Sequence, residues 1–89
     1  MSKIVFSEKA WDNYLYWQDN DKKILKRINR MLKEISREGF MEGIGKPELL
    51  SGDLNGKYSR RINDADRLVY EVEKDQIIII QCKGHYNDK

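Results

Sequence analysis

The hydrophobic period of this chain changes once, and that change limits what it can fold into. Through the first forty residues apolar side chains recur at helical spacing; from residue 57 onward they alternate or run together as strands do. Ile24, Ile28, Met31 and Ile35 fall at i, i+4, i+7 and i+11, reinforced by Leu25 and Leu32. Asn20 or Asp21 opens this helix and Gly39 stops it. An earlier helix runs from the N-cap Ser7 to about Gln18, with Trp11, Tyr14, Leu15 and Gln18 at helical spacing and Ala10 and Trp17 beside them. That largely aromatic stripe reads as core. The polar link Asp19 to Asp21 makes the two a helical hairpin, and residues 3 to 6 form a short strand ahead of it.

Three further strands follow: Lys57 to Asn63, Arg67 to Glu73, and Gln76 to Lys83. Their links are short, so both connections are antiparallel hairpins. Leu68, Tyr70 and Val72 alternate and face the helices; Ile77 to Ile80 is a buried run. A turn through Asp64-Ala65-Asp66 sets Asn63 opposite Arg67, Ile62 opposite Leu68 and Arg61 opposite Val69. Arg61 and Arg67 then become diagonal neighbours on the open face, roughly 7–8 Å apart. The Lys74-Asp75 turn places residues 82 to 85 beside 64 to 67 and so brings His85 next to Arg67. Gly39 to Gly56 is the longest irregular stretch. The expected architecture is α+β: an N-terminal strand and a two-helix hairpin packed on one face of a small, mainly antiparallel sheet. At 89 residues it is a single domain, 1–89.

Composition narrows the chemistry. A lone Cys82 allows neither an intramolecular disulfide nor a cysteine-rich zinc site, and a reducing cytoplasmic setting is the simplest expectation. The apolar run at the N-terminus is too short for a signal peptide, and nothing approaches a membrane span. No motif for a metal or for a phosphate-cradling loop is present. Net charge is only +2, yet seven basic residues lie between Lys22 and Arg37 against one acidic residue, Glu34. A helix so loaded suits a phosphate backbone, although a solvated face has the same signature. Arg61 and Arg67 form a forked cationic pair suited to an anion. Lys46-Pro47-Glu48 holds a cation and a carboxylate beside a residue of fixed φ. His85 and Tyr86 end the last strand with an imidazole and a phenol.

With these residues in view, the chain resembles the YoeB branch of the RelE-type toxins of bacterial toxin–antitoxin systems. The matching runs are Trp11 to Gln18, Gly45-Lys46-Pro47-Glu48, Ser59-Arg60-Arg61-Ile62, Arg67-Leu68-Val69-Tyr70, and Cys82 to Tyr86, covering nearly the whole chain in order. The resemblance implies a RelE-like microbial RNase fold and a ribosome-dependent endoribonuclease that cuts mRNA in the decoding site by 2′-OH attack, with no metal and no cofactor. It implies Glu48 as general base, His85 as general acid, Tyr86 as a tyrosine that helps set the site, Arg61 and Arg67 on the phosphate, and Lys46 in the same basic loop. Implied partners are the 70S ribosome and mRNA, a cognate YefM-like antitoxin that wraps and blocks the toxin, operator DNA mainly through that antitoxin, and a second copy of the toxin. The chain departs from the family where Ser51 replaces a frequent lysine, Asp66 a frequent histidine and Lys83-Gly84 a bulkier pair, and where Asn87 to Lys89 extend past the usual end. The competing expectation is a non-catalytic RNA- or DNA-binding module using the basic second helix.

Overall fold

Ser7 turns a strand into a helix within one residue. In the computed structural model, which describes residues 2–52 and 55–85, strand β1 (Lys3–Phe6) ends where the Ser7 hydroxyl oxygen accepts a 3.0 Å hydrogen bond from Ala10 N–H. The same hydroxyl donates to the Ile80 carbonyl at 2.9 Å, so the cap is fastened to the sheet. Helix α1 (Glu8–Asn20) follows, then α2 (Lys22–Glu38). Asp21 makes the corner between them: its N–H closes α1 on Trp17 O at 2.8 Å, and its carboxylate accepts from Lys23 and Ile24 at the start of α2. Gly39 then ends α2 at φ +131°, a conformation open to glycine.

The remaining strands are β2 (Glu48–Leu49), β3 (Lys57–Arg61), β4 (Arg67–Glu73) and β5 (Gln76–Gln81). The sheet order is β1-β5-β4-β3-β2, with β1 parallel to β5 and the other pairings antiparallel. The first and last strands therefore pair, which ties the N-terminal segment to the C-terminal one. The helical stripe (Ala10, Trp17, Ile28, Met31, Leu32, Ile35) and the inner sheet face (Ile62, Leu68, Tyr70, Ile77, Ile79, Cys82) form one core. Ile28 and Ile79 are wholly buried; each such aliphatic side chain stabilises the fold by about 1.5–3 kcal/mol. The α+β architecture read from the sequence is the one observed.

Four details differ. The aromatic stripe of α1 is rotated by about one residue: Ala10 and Trp17 are buried, Tyr14 is half-buried, while Trp11 is 47% exposed and Gln18 is exposed. Small Ala10 is where the helix comes close to the chain beyond β5, its carbonyl accepting from Cys82 Sγ at 3.6 Å. The β3–β4 turn is longer than three residues, because the Asn63 side chain accepts from both Ala65 N and Asp66 N and builds an Asx turn. Strand β3 thus ends at Arg61, and Arg61 opposes Arg67 while Arg60 opposes Leu68. This shift of two residues preserves the faces, as the period of a strand requires. Finally, β5 ends at Gln81, and Glu48–Leu49 adds an edge strand inside the stretch read as irregular.

Candidate functional site

Two rows of residues cross one end of the sheet. The first is Glu48, Ser59, Val69 and Gln81, neighbours by successive pairings from β2 to β5. The second, two positions further along β3, is the direct pair Arg61–Arg67. On one side Arg61 N donates to Gly45 O at 2.6 Å, with Lys46 next in the chain. On the other side Arg67 N donates to Gly84 O at 2.9 Å, with His85 next. The histidine is thus one residue beyond the backbone that touches Arg67; an unbroken register would have set Arg67 opposite Cys82, and the shift at Val69/Tyr70 brings the later residues of the chain closer to the arginine. Tyr86 lies outside the described residues.

Lys46, Glu48, Arg61, Arg67 and His85 therefore occupy four adjacent segments at one edge of the fold. Three strand spacings separate the Glu48 backbone from the Gly84–His85 backbone, about 14 Å. Glu48, Arg61 and Arg67 share the face turned away from the helices, since Leu68 and Tyr70 point the other way into the core. Lys46, Glu48, Arg61 and His85 are exposed and Arg67 is half-buried.

The arginine pair is closer than the diagonal expected from sequence, with backbones about 5 Å apart. The two guanidiniums are held differently. Arg67 Nη1 donates to the carbonyls of Asn63 (2.7 Å), Asp64 (3.2 Å) and Asp66 (3.2 Å), so one of its nitrogens is committed to the turn. Its Nε and Nη2 make no hydrogen bond among the described residues. Arg61 is placed through its backbone, its carbonyl accepting from Arg27 Nη2 at 3.1 Å. Two like charges side by side on an open face attract an anion that bridges them.

Sequence reasoning missed the side chain that holds this edge together. Arg60 is completely buried. Its Nε donates to Tyr70 Oη at 3.0 Å, Nη1 to Ile44 O at 3.1 Å, and Nη2 to Phe40 O at 3.3 Å. Glu34 Oε1 lies 3.9 Å from Nη1 and accepts from Ile44 N at 2.9 Å. That backbone hydrogen bond, helped by Arg30 and Arg60, holds the Glu34 carboxyl below its ordinary range despite partial desolvation. Burial pushes the Tyr70 phenol up. The Arg60 guanidinium thus clamps residues 39–44 and fixes where Gly45-Lys46-Pro47-Glu48 leaves the core. Gly45, at φ +92°, passes so close that a Cβ there would sit 2.9 Å from Met31 Cε and 3.0 Å from Arg60 Cβ. A signal was present in the sequence: Arg60 has the parity of Leu68 and Tyr70, which puts it on the helix-facing side under either register.

Cys82 is buried, and desolvation followed by the nearby Asp66 charge pushes its thiol up to about 12. It is no nucleophile at neutral pH. Among the described residues no three His, Cys, Asp or Glu side chains gather as a metal set requires, and no helix there is long and apolar enough to cross a membrane.

The chain is similar in sequence and in fold to known proteins. Residues 6–86 match the family described as YoeB-like toxin of bacterial type II toxin–antitoxin system. Toxin YoeB of Escherichia coli strain K12 is 50% identical over 84 residues, spanning 94% of this chain and 99% of that one. A YoeB–YefM complex from Staphylococcus aureus superimposes with a TM-score of 0.88 at 52% identity, covering 97% of this chain and 99% of the other. A YoeB dimer from the same organism gives 0.88 at 54% identity, covering 96% and 98%.

Proposed function

Given that the chain belongs to the YoeB-like toxins of bacterial type II toxin–antitoxin systems, we propose that it is a ribosome-dependent endoribonuclease that cuts mRNA in the decoding site. The observation that carries this reading is the Arg61–Arg67 pair flanked by the segment of Glu48 on one side and that of His85 on the other. A 2′-OH attacking the adjacent phosphorus forms the O2′–P bond while the P–O5′ bond breaks, leaving a 2′,3′-cyclic phosphate and a 5′-OH. Glu48 takes the 2′ proton and His85 gives one to O5′. Arg61 and Arg67 hold the non-bridging oxygens, Lys46 binds a neighbouring phosphate, and Tyr86 helps orient the site. A base and an acid reaching inward from backbones about 14 Å apart suit one phosphate between them. Each acid–base contribution is worth roughly 10²–10⁴-fold.

Lys46, Glu48, Arg61 and His85 are exposed, so alignment of substrate has to come from elsewhere. The ribosome supplies it by fixing mRNA in a near-attack geometry, an effect of large magnitude. A cognate YefM-like antitoxin covers this edge of the sheet, the toxin pairs as a homodimer, and the complex meets operator DNA mainly through the antitoxin, all in the cytoplasm.

A second reading rests on α2. Lys22, Lys23, Lys26, Arg30, Lys33 and Arg37 line its exposed side, and Lys26, Asn29, Arg30 and Lys33 rim a shallow hollow. A binding module would use that stripe alone. Separate E48Q, R67M and H85Q substitutions decide between the two. The nuclease loses at least 10²-fold in cleavage of translated mRNA with ribosome affinity nearly unchanged. Loss of affinity only on neutralising the α2 lysines, with cleavage absent throughout, would establish the module instead.

A further inference from the structure

The three residues ahead of His85 have no regular secondary structure, yet almost all their backbone polar groups are taken. Cys82 N–H donates to Asn13 Oδ1 (3.0 Å) and Cys82 O accepts from Trp17 Nε1 (2.8 Å). Gln81 Nε2 donates to the carbonyls of Lys83 (3.2 Å) and Gly84 (3.1 Å). Gly84 N–H donates to Asp66 Oδ1 at 2.7 Å, and Gly84 O accepts from Arg67 N at 2.9 Å. Hydrogen bonds from α1, β5 and the β3–β4 turn thus bracket a segment that a sheet ladder no longer supports. Core packing accounts for Cys82, which is buried, but Lys83 and Gly84 are only half-buried; fixing their backbone as well makes sense if the residue that follows needs a fixed place.

We propose that Asp66 is a positioning residue for His85, an inference that rests on the nuclease reading above. Asp66 is the one member of the bracket that also belongs to the turn holding Arg67: its carboxylate fixes Gly84 N–H, and its carbonyl accepts from Arg67 Nη1 at 3.2 Å. One residue thereby sets the arginine and the histidine arm relative to each other. The turn is itself stiffened by Asn63 Oδ1, which accepts from Asp66 N at 2.7 Å. Gly84, at φ +83° with open space around it, lets the chain bend outward to His85 immediately after the latch. A carboxylate acceptor of a backbone N–H is a strong partner, and small misplacements of a catalytic group carry a large rate penalty.

The test compares D66A and D66N with the full-length protein acting on programmed ribosomes. D66A is expected to lose about 10–100-fold in kcat, with half-saturating ribosome concentration within twofold of the parent. D66N keeps an acceptor oxygen and is expected to return to within about threefold. Amide exchange of Gly84 is expected to quicken at least tenfold in D66A, with the core amides unchanged. Should D66A fail to fold, G84A disturbs the same arm from its other side and is expected to show the same kcat loss. Parental kcat in D66A or, failing that, in G84A, or D66N falling as far as D66A, overturns the latch. Parental cleavage by H85Q would overturn the nuclease reading instead, and Gly84 exchange would still report whether Asp66 holds the arm.

Discussion

Replacing Arg60 by methionine keeps a long side chain in the core while removing every donor it supplies. In the native protein that guanidinium serves Tyr70 Oη, Ile44 O and Phe40 O and faces Glu34 at 3.9 Å. A hydrogen bond from a charged group contributes about 1.5–3 kcal/mol net, so these three and a longer one to Gly39 O at 3.5 Å bound the loss from above at roughly 12 kcal/mol. Two features reduce it. Glu34 keeps Ile44 N and Arg30 as partners and is 15% exposed, so no bare charge is left in the core. Tyr70 Oη keeps its donation to Phe40 O, and methionine recovers apolar contacts. The expected cost is about 3–5 kcal/mol, the range for removing one partner of a buried ionic network. In a domain of this size that lowers Tm by roughly 15–30 °C. Urea unfolding followed by the buried Trp17 measures it, and an unchanged m-value would show that the unfolded state is the same. A cost below about 1 kcal/mol would refute the clamp, because Tyr70 Oη and Ile44 O would have lost their donor without consequence.

Gly45→Ala is expected to destabilise by more than 1 kcal/mol, since it combines a positive φ with contacts of 2.9–3.0 Å to Met31, Arg60 and Arg61; Gly52→Ala, with nothing near its Cβ, is the control for φ alone. Glu34 has its folded pKa below the ordinary 4.5, so its contribution is present above that value and is lost as pH falls through the lowered one; E34Q should flatten the acid limb of stability measured by denaturant titration. Cys82, with its thiol at about 12, should resist thiol reagents at pH 8 in the folded protein and react at once in urea; fast labelling under native conditions would contradict its burial.

Much of this arrangement was legible in the sequence, and particular residues show why the rest was not. Alternation at Leu68, Tyr70 and Val72 fixed which side of β4 meets the helices, because strand parity survives any even shift of register. The shift itself depended on Asn63 choosing its own turn over a tighter hairpin, a side-chain hydrogen bond that no hydrophobic pattern encodes. The rotation of α1 turned on Ala10, whose smallness rather than its hydrophobicity decides where the helix approaches the chain at Cys82. Arg60 was not singled out by pattern, because arginine is rarely buried, although its parity pointed inward. Arg61, Arg67 and the His85 segment were placed in one neighbourhood by counting along two hairpins. The one-residue offset at the end of β5 came from an irregularity opposite Val69/Tyr70 that the apolar run Ile77 to Ile80 does not announce.

The most direct test is a structure of this protein on a ribosome programmed with mRNA whose attacking 2′-oxygen is methylated, so that the substrate binds uncut. The account predicts the scissile phosphate seated over Arg61 and Arg67, with a Glu48 oxygen and a His85 nitrogen within about 2.6–3.2 Å of the 2′- and 5′-oxygens. An mRNA lying along the lysines of α2, with the Arg61–Arg67 edge open to solvent, would contradict it.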